Sequence, residues 1–195
     1  IKIEYSTDGG VTYPAGNLIV ASTVADPLPA DNAGSFAWTI PDSIATTVRV
    51  RISDVTDATA LDESNANFTI RGSFTLTAPN GGQKWTVGSA QSITWTTSGT
   101  IANVKLEYST DGGTTYPAGN VIAASTANTG TYSWAIPNAL SGTVRVRVLN
   151  SADLGTFDPS DANFKIMAGF TVTAPNGGEV WVVGASQDVT WTTAG

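Results

Sequence analysis

Residues 104–116 read Val-Lys-Leu-Glu-Tyr-Ser-Thr-Asp-Gly-Gly-Thr-Thr-Tyr, and the chain opens on nearly the same words: residues 1–13 read Ile-Lys-Ile-Glu-Tyr-Ser-Thr-Asp-Gly-Gly-Val-Thr-Tyr. In the later copy Val104, Leu106 and Tyr108 alternate with Lys105 and Glu107, the period of two of a strand with one buried face. This predicts Lys105 and Glu107 on the outer side of a sheet. Asp-Gly-Gly then marks a hairpin, since Gly supplies positive φ at no steric cost and Asp can accept the turn amides. A strand and hairpin that return 103 positions later reveal an internal repeat, which has to be traced before any fold is assigned.

Working outward, Phe-Thr-Leu-Thr-Ala-Pro-Asn-Gly-Gly-Gln-Lys-Trp at 74–85 returns as Phe-Thr-Val-Thr-Ala-Pro-Asn-Gly-Gly-Glu-Val-Trp at 170–181, an offset of 96. The same offset carries Trp38 to Trp134, Pro41 to Pro137, Arg49 and Arg51 to Arg145 and Arg147, and Phe68 to Phe164. The change from 103 to 96 places seven extra residues in the first copy, around the Pro-rich stretch 24–31, a surface loop insertion.

One complete repeat, residues 73–168, reads as about seven short strands. Ile93 and Trp95, then Val104, Leu106 and Tyr108, then Tyr132, Trp134 and Ile136, then Val144, Val146 and Val148, and finally Phe164 and Ile166 form the inward rows. Pro, Asn and Gly clusters separate them, and no segment holds a helical period. The fold class predicted is all-β: tandem immunoglobulin/fibronectin III-like antiparallel β-sandwiches, the packing that buries one apolar face per strand. Residues 1–72 then form an incomplete repeat lacking its first two strands, and 169–195 supply the first two strands of a further one.

Composition narrows the functional classes. Charged residues are 13% of the chain, the net charge is −7 and the pI about 4.3. Nine Lys and Arg in all argue against nucleic acid, which needs clustered cations. There is no Cys and no His, so disulfides, thiolate nucleophiles, His relays and the usual zinc sites are excluded. No apolar run is long enough to span a bilayer. The absence of an initiator Met and of a signal peptide fits a mature or excised piece of something longer.

Several motifs carry candidate roles. Asp8, Gly10, Asp111 and Gly113 belong to Ser-Thr-Asp-Gly-Gly-X-Thr-Tyr hairpins similar to the Asp-box of sialidase propellers, where it is a structural turn remote from catalysis. Asp153, Asp158 and Asp161 form an oxygen-rich loop of the kind that can hold calcium. With no EF-hand spacing and no Asp-X-Asp-X-Asp run, the expectation is no metal and no cofactor. Trp38, Trp95, Trp134 and Trp191 fall in inward rows; Trp85 and Trp181, just after the Pro-Asn-Gly-Gly turn, are the candidates for glycan contact. No pair of acids is singled out as catalytic, and the chain is expected not to be an enzyme.

Taken together, Pro-Asn-Gly-Gly-Gln/Glu-X-Trp, Ile/Val-Thr-Trp, Leu-Glu-Tyr-Ser-Thr-Asp-Gly-Gly, Tyr-Ser-Trp-Ala-Ile-Pro, Val-Arg-Val-Arg-Val and Asp-Ala-Asn-Phe-Lys-Ile resemble the Ser/Thr-rich, glycosylphosphatidylinositol-anchored domain family. That family includes fungal cell-wall glucan-assembly proteins and tandem repeats of large prokaryotic surface proteins. The resemblance implies an extracellular or cell-surface immunoglobulin-like module and brings no catalytic residues.

The expected function is a structural tandem-repeat protein of an extracellular filament, fibre or surface layer, its partners being copies of itself joined head to tail, with lateral contacts and surface glycans as further candidates. Residues 170–195 would complete the sandwich begun at residue 1 of the next copy. The joint would use Ile1, Ile3 and Tyr5 on one side and Phe170, Val172, Val189, Trp191 and Gly195 on the other. Gly195 corresponds to Gly99, which four residues, 100–103, separate from the counterpart of Ile1, so the same phase also fits a window of one continuous polypeptide. A surface adhesin or carbohydrate-binding repeat is the alternative.

Overall fold

The computed structural model describes residues 1–22 and 34–195; the insertion at 24–31 lies outside the described residues. The chain is all-β, with immunoglobulin/fibronectin III-like sandwich architecture, and divides into two compact units, Ile1–Gly72 and Ser73–Gly195. Among the described residues no helix is long and apolar enough to cross a membrane.

The first unit holds β1 (Lys2–Ser6), β2 (Leu18–Val20), β3 (Ala45–Ser53), β4 (Leu61–Glu63) and β5 (Phe68–Ile70). They form one sheet in the order β2-β1-β3-β4, with β5 also on β3. The second unit begins with β6 (Ser73–Ala78), β7 (Lys84–Thr86), β8 (Ala90–Ser98), β9 (Asn103–Ser109) and β10 (Val121–Ala127). It continues through β11 (Thr131–Ala135), β12 (Ser141–Asn150), β13 (Phe157–Pro159) and β14 (Phe164–Met167), and ends in the hairpin β15 (Gly169–Ala174) and β16 (Thr190–Ala194).

Strands β6 to β14 make a complete sandwich. One sheet runs β11-β8-β6; the other runs β10-β9-β12-β14-β7, with β13 beside β12. Alternation decides what faces inward: on β12 Val144, Val146 and Val148 are buried while Arg145 and Arg147 are partly exposed, and on β8 Ile93 and Trp95 are buried between exposed or half-exposed neighbours. The core between the sheets gathers these with Phe74, Leu76, Trp85, Leu106, Tyr108, Trp134, Phe164 and Ile166. Trp85, Trp134 and Phe164 stack edge-on or tilted, with Trp85 6.0 Å from Trp134 and 4.9 Å from Phe164, distances favourable for aromatic pairs.

Three features differ from the sequence reading. The complete repeat has nine strands among the described residues where the sequence predicts about seven; β13 is unforeseen, and it ends in Pro159 and lies at a sheet edge, where a missing N–H is tolerated. One pairing is parallel: β7 runs alongside β14, Ile166 opposite Trp85, because the chain leaves β6 through the Pro79 turn and joins the edge of the opposite sheet. Lys105 and Glu107, expected outward, are not both exposed: Lys105 is partly covered and Glu107 is only 3% exposed. The loop after β9 folds back so that Arg147 lies over the ring of Tyr116, 3.9 Å from its centroid, and together they cover the carboxylate.

The first unit reproduces the β9-β12 pairing in β1-β3, Tyr5 opposite Val50 as Tyr108 is opposite Val146. It holds no counterpart of β6, β7 or β8 among the described residues. Residues 34–40, which correspond to β11 and its flanks, form no strand there, since in the complete repeat β11 is held only by β8. In the same way residues 180–182, the counterpart of β7, form no strand in the final hairpin.

Candidate assembly surface

The repeat provides its own control. Apart from Ile101, each core position of the complete sandwich has a counterpart in the partial repeats, so the burial a side chain reaches with partners and without them can be compared directly. Phe74 is 7% exposed and Trp95 3%, whereas Phe170 is 71% and Trp191 58% exposed. Val172 and Val189 are exposed where Leu76 and Ile93 are buried. On the other side, Ile136 is 3% exposed and Val148 fully buried, while their counterparts Ile40 and Ile52 stand 54% and 44% exposed. Phe36 and Phe68 are also exposed. Each partial repeat therefore presents apolar side chains at the positions that the missing strands cover in the complete one, a concentration of exposed hydrophobics characteristic of an interaction surface.

Of the predicted joint residues, Ile1 lies at the rim of the first unit, and Ile3 and Tyr5 are buried in it. Tyr5 packs on Trp38 at 5.2 Å and its hydroxyl shares a hydrogen bond with Ser43 at 2.8 Å. Phe170, Val172 and Trp191 sit together on β15 and β16, Val172 directly opposite Trp191. Gly195 has φ of +114° and lies beside Ala168 and Leu140. Phe36, Ile40, Ile52 and Phe68 escaped the sequence reading because their alternation is identical to that of buried counterparts; only the phase of the repeat signals that they are uncovered.

The Asp-box residues form a closed local network. Asp111 accepts from the Ser109 hydroxyl and from both the backbone N–H (3.0 Å) and the hydroxyl (2.6 Å) of Thr115, and Asp8 does the same with Ser6 and Thr12. Gly113, at φ +87°, brings the backbone so close to the sheet that an added Cβ would stand 3.1 Å from Arg145 Cδ. The hairpin thereby locks Tyr116 over Arg147. These bonds, that from Ser6 foremost, hold the Asp8 carboxyl down to about 2 and push Asp111 lower still. A depressed carboxyl contributes stability that is complete above the unfolded aspartate pKa of about 3.9 and is lost as pH falls through the folded value. The Asp8 carboxyl carbon is therefore expected to titrate near pH 2 by NMR; a midpoint near 4 would mean that the hairpin network is absent in solution.

Beneath the hairpin, Glu107 accepts from Arg147 Nε at 2.9 Å and Nη2 at 2.7 Å and pairs with Lys105, while Glu4 pairs with Lys2 and accepts one bond from Arg51, from Nη2 at 3.0 Å. Burial penalises the Glu107 charge, but the bonds from Lys105 and Arg147 outweigh it and hold its pKa below the ordinary glutamate value.

The calcium candidates are used separately. Asp153 accepts from Gly155 N–H and the Thr156 hydroxyl, Asp158 from the Leu76 N–H at 2.7 Å, and Asp161 from the Asn80 amide at 2.7 Å. Among the described residues no group of three acids is placed to hold a metal ion. Of the glycan candidates, Trp85 is buried in the core and Trp181 is exposed on the hairpin.

Residues 78–153 match the model of the Kre9/KNH-like N-terminal Ig-like domain. No curated protein matches. Among solved structures, the Clostridium thermocellum CbhA fibronectin(III)-like modules align over 85% of this chain and 78% of that one, at 17% identity and a TM-score of 0.34, a likeness too distant to carry an argument. The stretch similar to a described domain thus runs from the end of β6 to just beyond β12, within the complete repeat, and that domain is Ig-like.

Proposed function

We propose that this chain is a structural repeat segment of an extracellular or cell-surface filament, fibre or layer, in which the strand pair at residues 170–195 of one copy completes the sandwich that begins at residue 1 of the next. The observation that supports this is the matched pattern of exposure: Phe170, Val172, Val189 and Trp191 are open on one partial repeat, and Ile40, Ile52 and Phe68 are open on the other. Covering a large apolar side chain contributes about 1.5–3 kcal/mol each, and pairing at a sheet edge satisfies backbone groups as well. A surface low in charge suits such packing. The joint also accounts for Trp181 better than a glycan platform does, because its counterpart Trp85 is a core residue rather than an exposed one.

The purified chain should show concentration-dependent mass in multiples of 20.1 kDa by light scattering, collapsing to 20.1 kDa in denaturant. A particle of single-chain mass at every concentration rejects strand donation between copies. Native material that dissociates to a much larger polypeptide places the same packing within one continuous chain instead.

A further inference from the structure

The apolar pattern says which surfaces meet but leaves register open, since Thr-rich strands of period two can slide by two residues and still bury one face. In the complete sandwich, polar contacts between the β13 edge and the β6 turn fix that register. Asp158 Oδ2 accepts the Leu76 N–H at 2.7 Å, and the Ser160 hydroxyl donates to the Pro79 carbonyl at 2.7 Å. Asn80 and Asp161 bond reciprocally, each contact 2.7 Å. Gly81 has φ of +129° and sits so close to Ala162 that an added Cβ would lie 2.6 Å from the alanine methyl.

Each of these groups has a counterpart at the open surfaces. Asp62 and Ser64 stand where Asp158 and Ser160 do; Val172, Pro175, Asn176 and Gly177 stand where Leu76, Pro79, Asn80 and Gly81 do. Asp62 is exposed, and no bond to its carboxylate is seen among the described residues. Ser64 keeps the long 3.3 Å contact to the Val50 carbonyl that Ser160 also makes to the Val146 carbonyl, but no counterpart of the 2.7 Å bond to Pro79 is seen among the described residues. Nothing lies within 4 Å of a Cβ built on Gly177, although its φ of +117° keeps the conformation that seats Gly81.

We infer that Asp62, Ser64 and Ala66 form the register-setting half of a latch, whose other half is the Val172 N–H, the Pro175 carbonyl and Gly177 of a second copy of this chain. The inference rests on end-to-end completion and adds what selects the partner. Asp62 takes the Val172 amide at the free edge of the strand pair. Ser64 gains the short bond to a proline carbonyl that Ser160 makes to Pro79. Ala66 admits only a residue without a side chain. Where the internal repeat pairs Asn80 with Asp161, the joint pairs Asn176 with Asn65, so at that contact the latch carries no charge.

The test uses the full chain and measures its self-association by sedimentation velocity. Both Asp62 and Ala66 are exposed in the first unit, so substitutions there leave the protomer's own packing intact, which the unfolding midpoint checks. Asp62→Ala removes an ionised acceptor and is expected to weaken association about 10–100-fold, with Asp62→Asn recovering part of the loss because its amide oxygen still accepts. Ala66→Leu is expected to weaken it by a similar factor through overpacking against Gly177. Wild-type chains that do not associate at all overturn end-to-end completion itself. Wild-type chains that associate while Asp62→Ala and Ala66→Leu associate equally well overturn the latch alone. Should either variant unfold, amide exchange in the wild-type assembly decides: the Val172 N–H becomes protected if the latch forms and stays open to solvent if it does not.

Discussion

Trp191→Ala is expected to leave the thermal unfolding of the complete repeat unchanged while weakening association of copies about 10²–10³-fold; Trp95→Ala, the same change at the equivalent position, is expected to destabilise that repeat by about 3–5 kcal/mol. Trp95 is buried, touches the core of both sheets and donates its indole N–H to Asn128 Oδ1 at 2.7 Å. Losing it leaves a cavity and removes the shorter of two bonds to the Asn128 amide oxygen, which keeps the Thr97 hydroxyl at 3.2 Å, and for a domain of this size such a loss lowers the midpoint by roughly 15–30 °C. Trp191 loses nothing when truncated in a single protomer, because more than half of its surface is already in water. Paired calorimetry and sedimentation on the two variants would read the comparison. A large fall in midpoint from Trp191→Ala would show that the indole is already packed within one protomer, and unaltered association would remove it from the joint. Trp95→Phe serves where the alanine variant does not fold.

The second large effect concerns the covered carboxylate on the sheet's outer face. Glu107→Ala should cost about 2–3 kcal/mol, less than the roughly 3–5 kcal/mol of breaking a fully buried ion pair, because the Arg147 side chain keeps about a quarter of its exposure and can recover some solvation. The pH dependence has a definite sign. Since the folded pKa of Glu107 lies below the unfolded one, its contribution is complete above about pH 4.3 and is lost as pH falls through the folded value. Glu107→Gln should therefore flatten the acid limb of stability relative to wild type, with no change in its shape above pH 6. Superimposable acid limbs would mean that the pair is solvent-screened and contributes little.

The repeat, the strand rows and the inward tryptophans of the complete sandwich are legible in the sequence because they depend on period two and on turn residues, both local. What stayed hidden is non-local. The pattern Val104-Lys-Leu-Glu-Tyr reads as a half-exposed strand, and nothing near Glu107 in sequence announces that Tyr116, nine positions on, will close over it through Arg147 from another strand. Phe36 to Ile40 carries the alternation of β11 and yet is not a strand, since β-propensity expresses a partner's surface more than a backbone preference and the partner is absent from the first unit. Strand β13 was obscured by Pro159. The polar contacts of Asp158 and Ser160 span about eighty residues, and their trace in sequence is that Asp and Ser recur at 62 and 64, ahead of the repeated Ala-Asn-Phe, after a loop that is otherwise altered.

The parallel pairing of β7 with β14 bears on mechanical load. Strand β14 ends at Met167 and β15 starts at Gly169, so Ala168 alone separates the end of the complete repeat from the strand that opens the following one, and little slack is available to absorb extension. The residues Lys165, Ile166 and Met167 lie beside Lys84, Trp85 and Thr86 with both strands running the same way. A pull that draws the chain's two directions apart then loads those hydrogen bonds in shear, all at once, rather than peeling them one by one from an end. Resistance to extension would concentrate in this short clamp over the buried Trp85, and a polymer of such repeats would behave as an inextensible cord until the clamp fails.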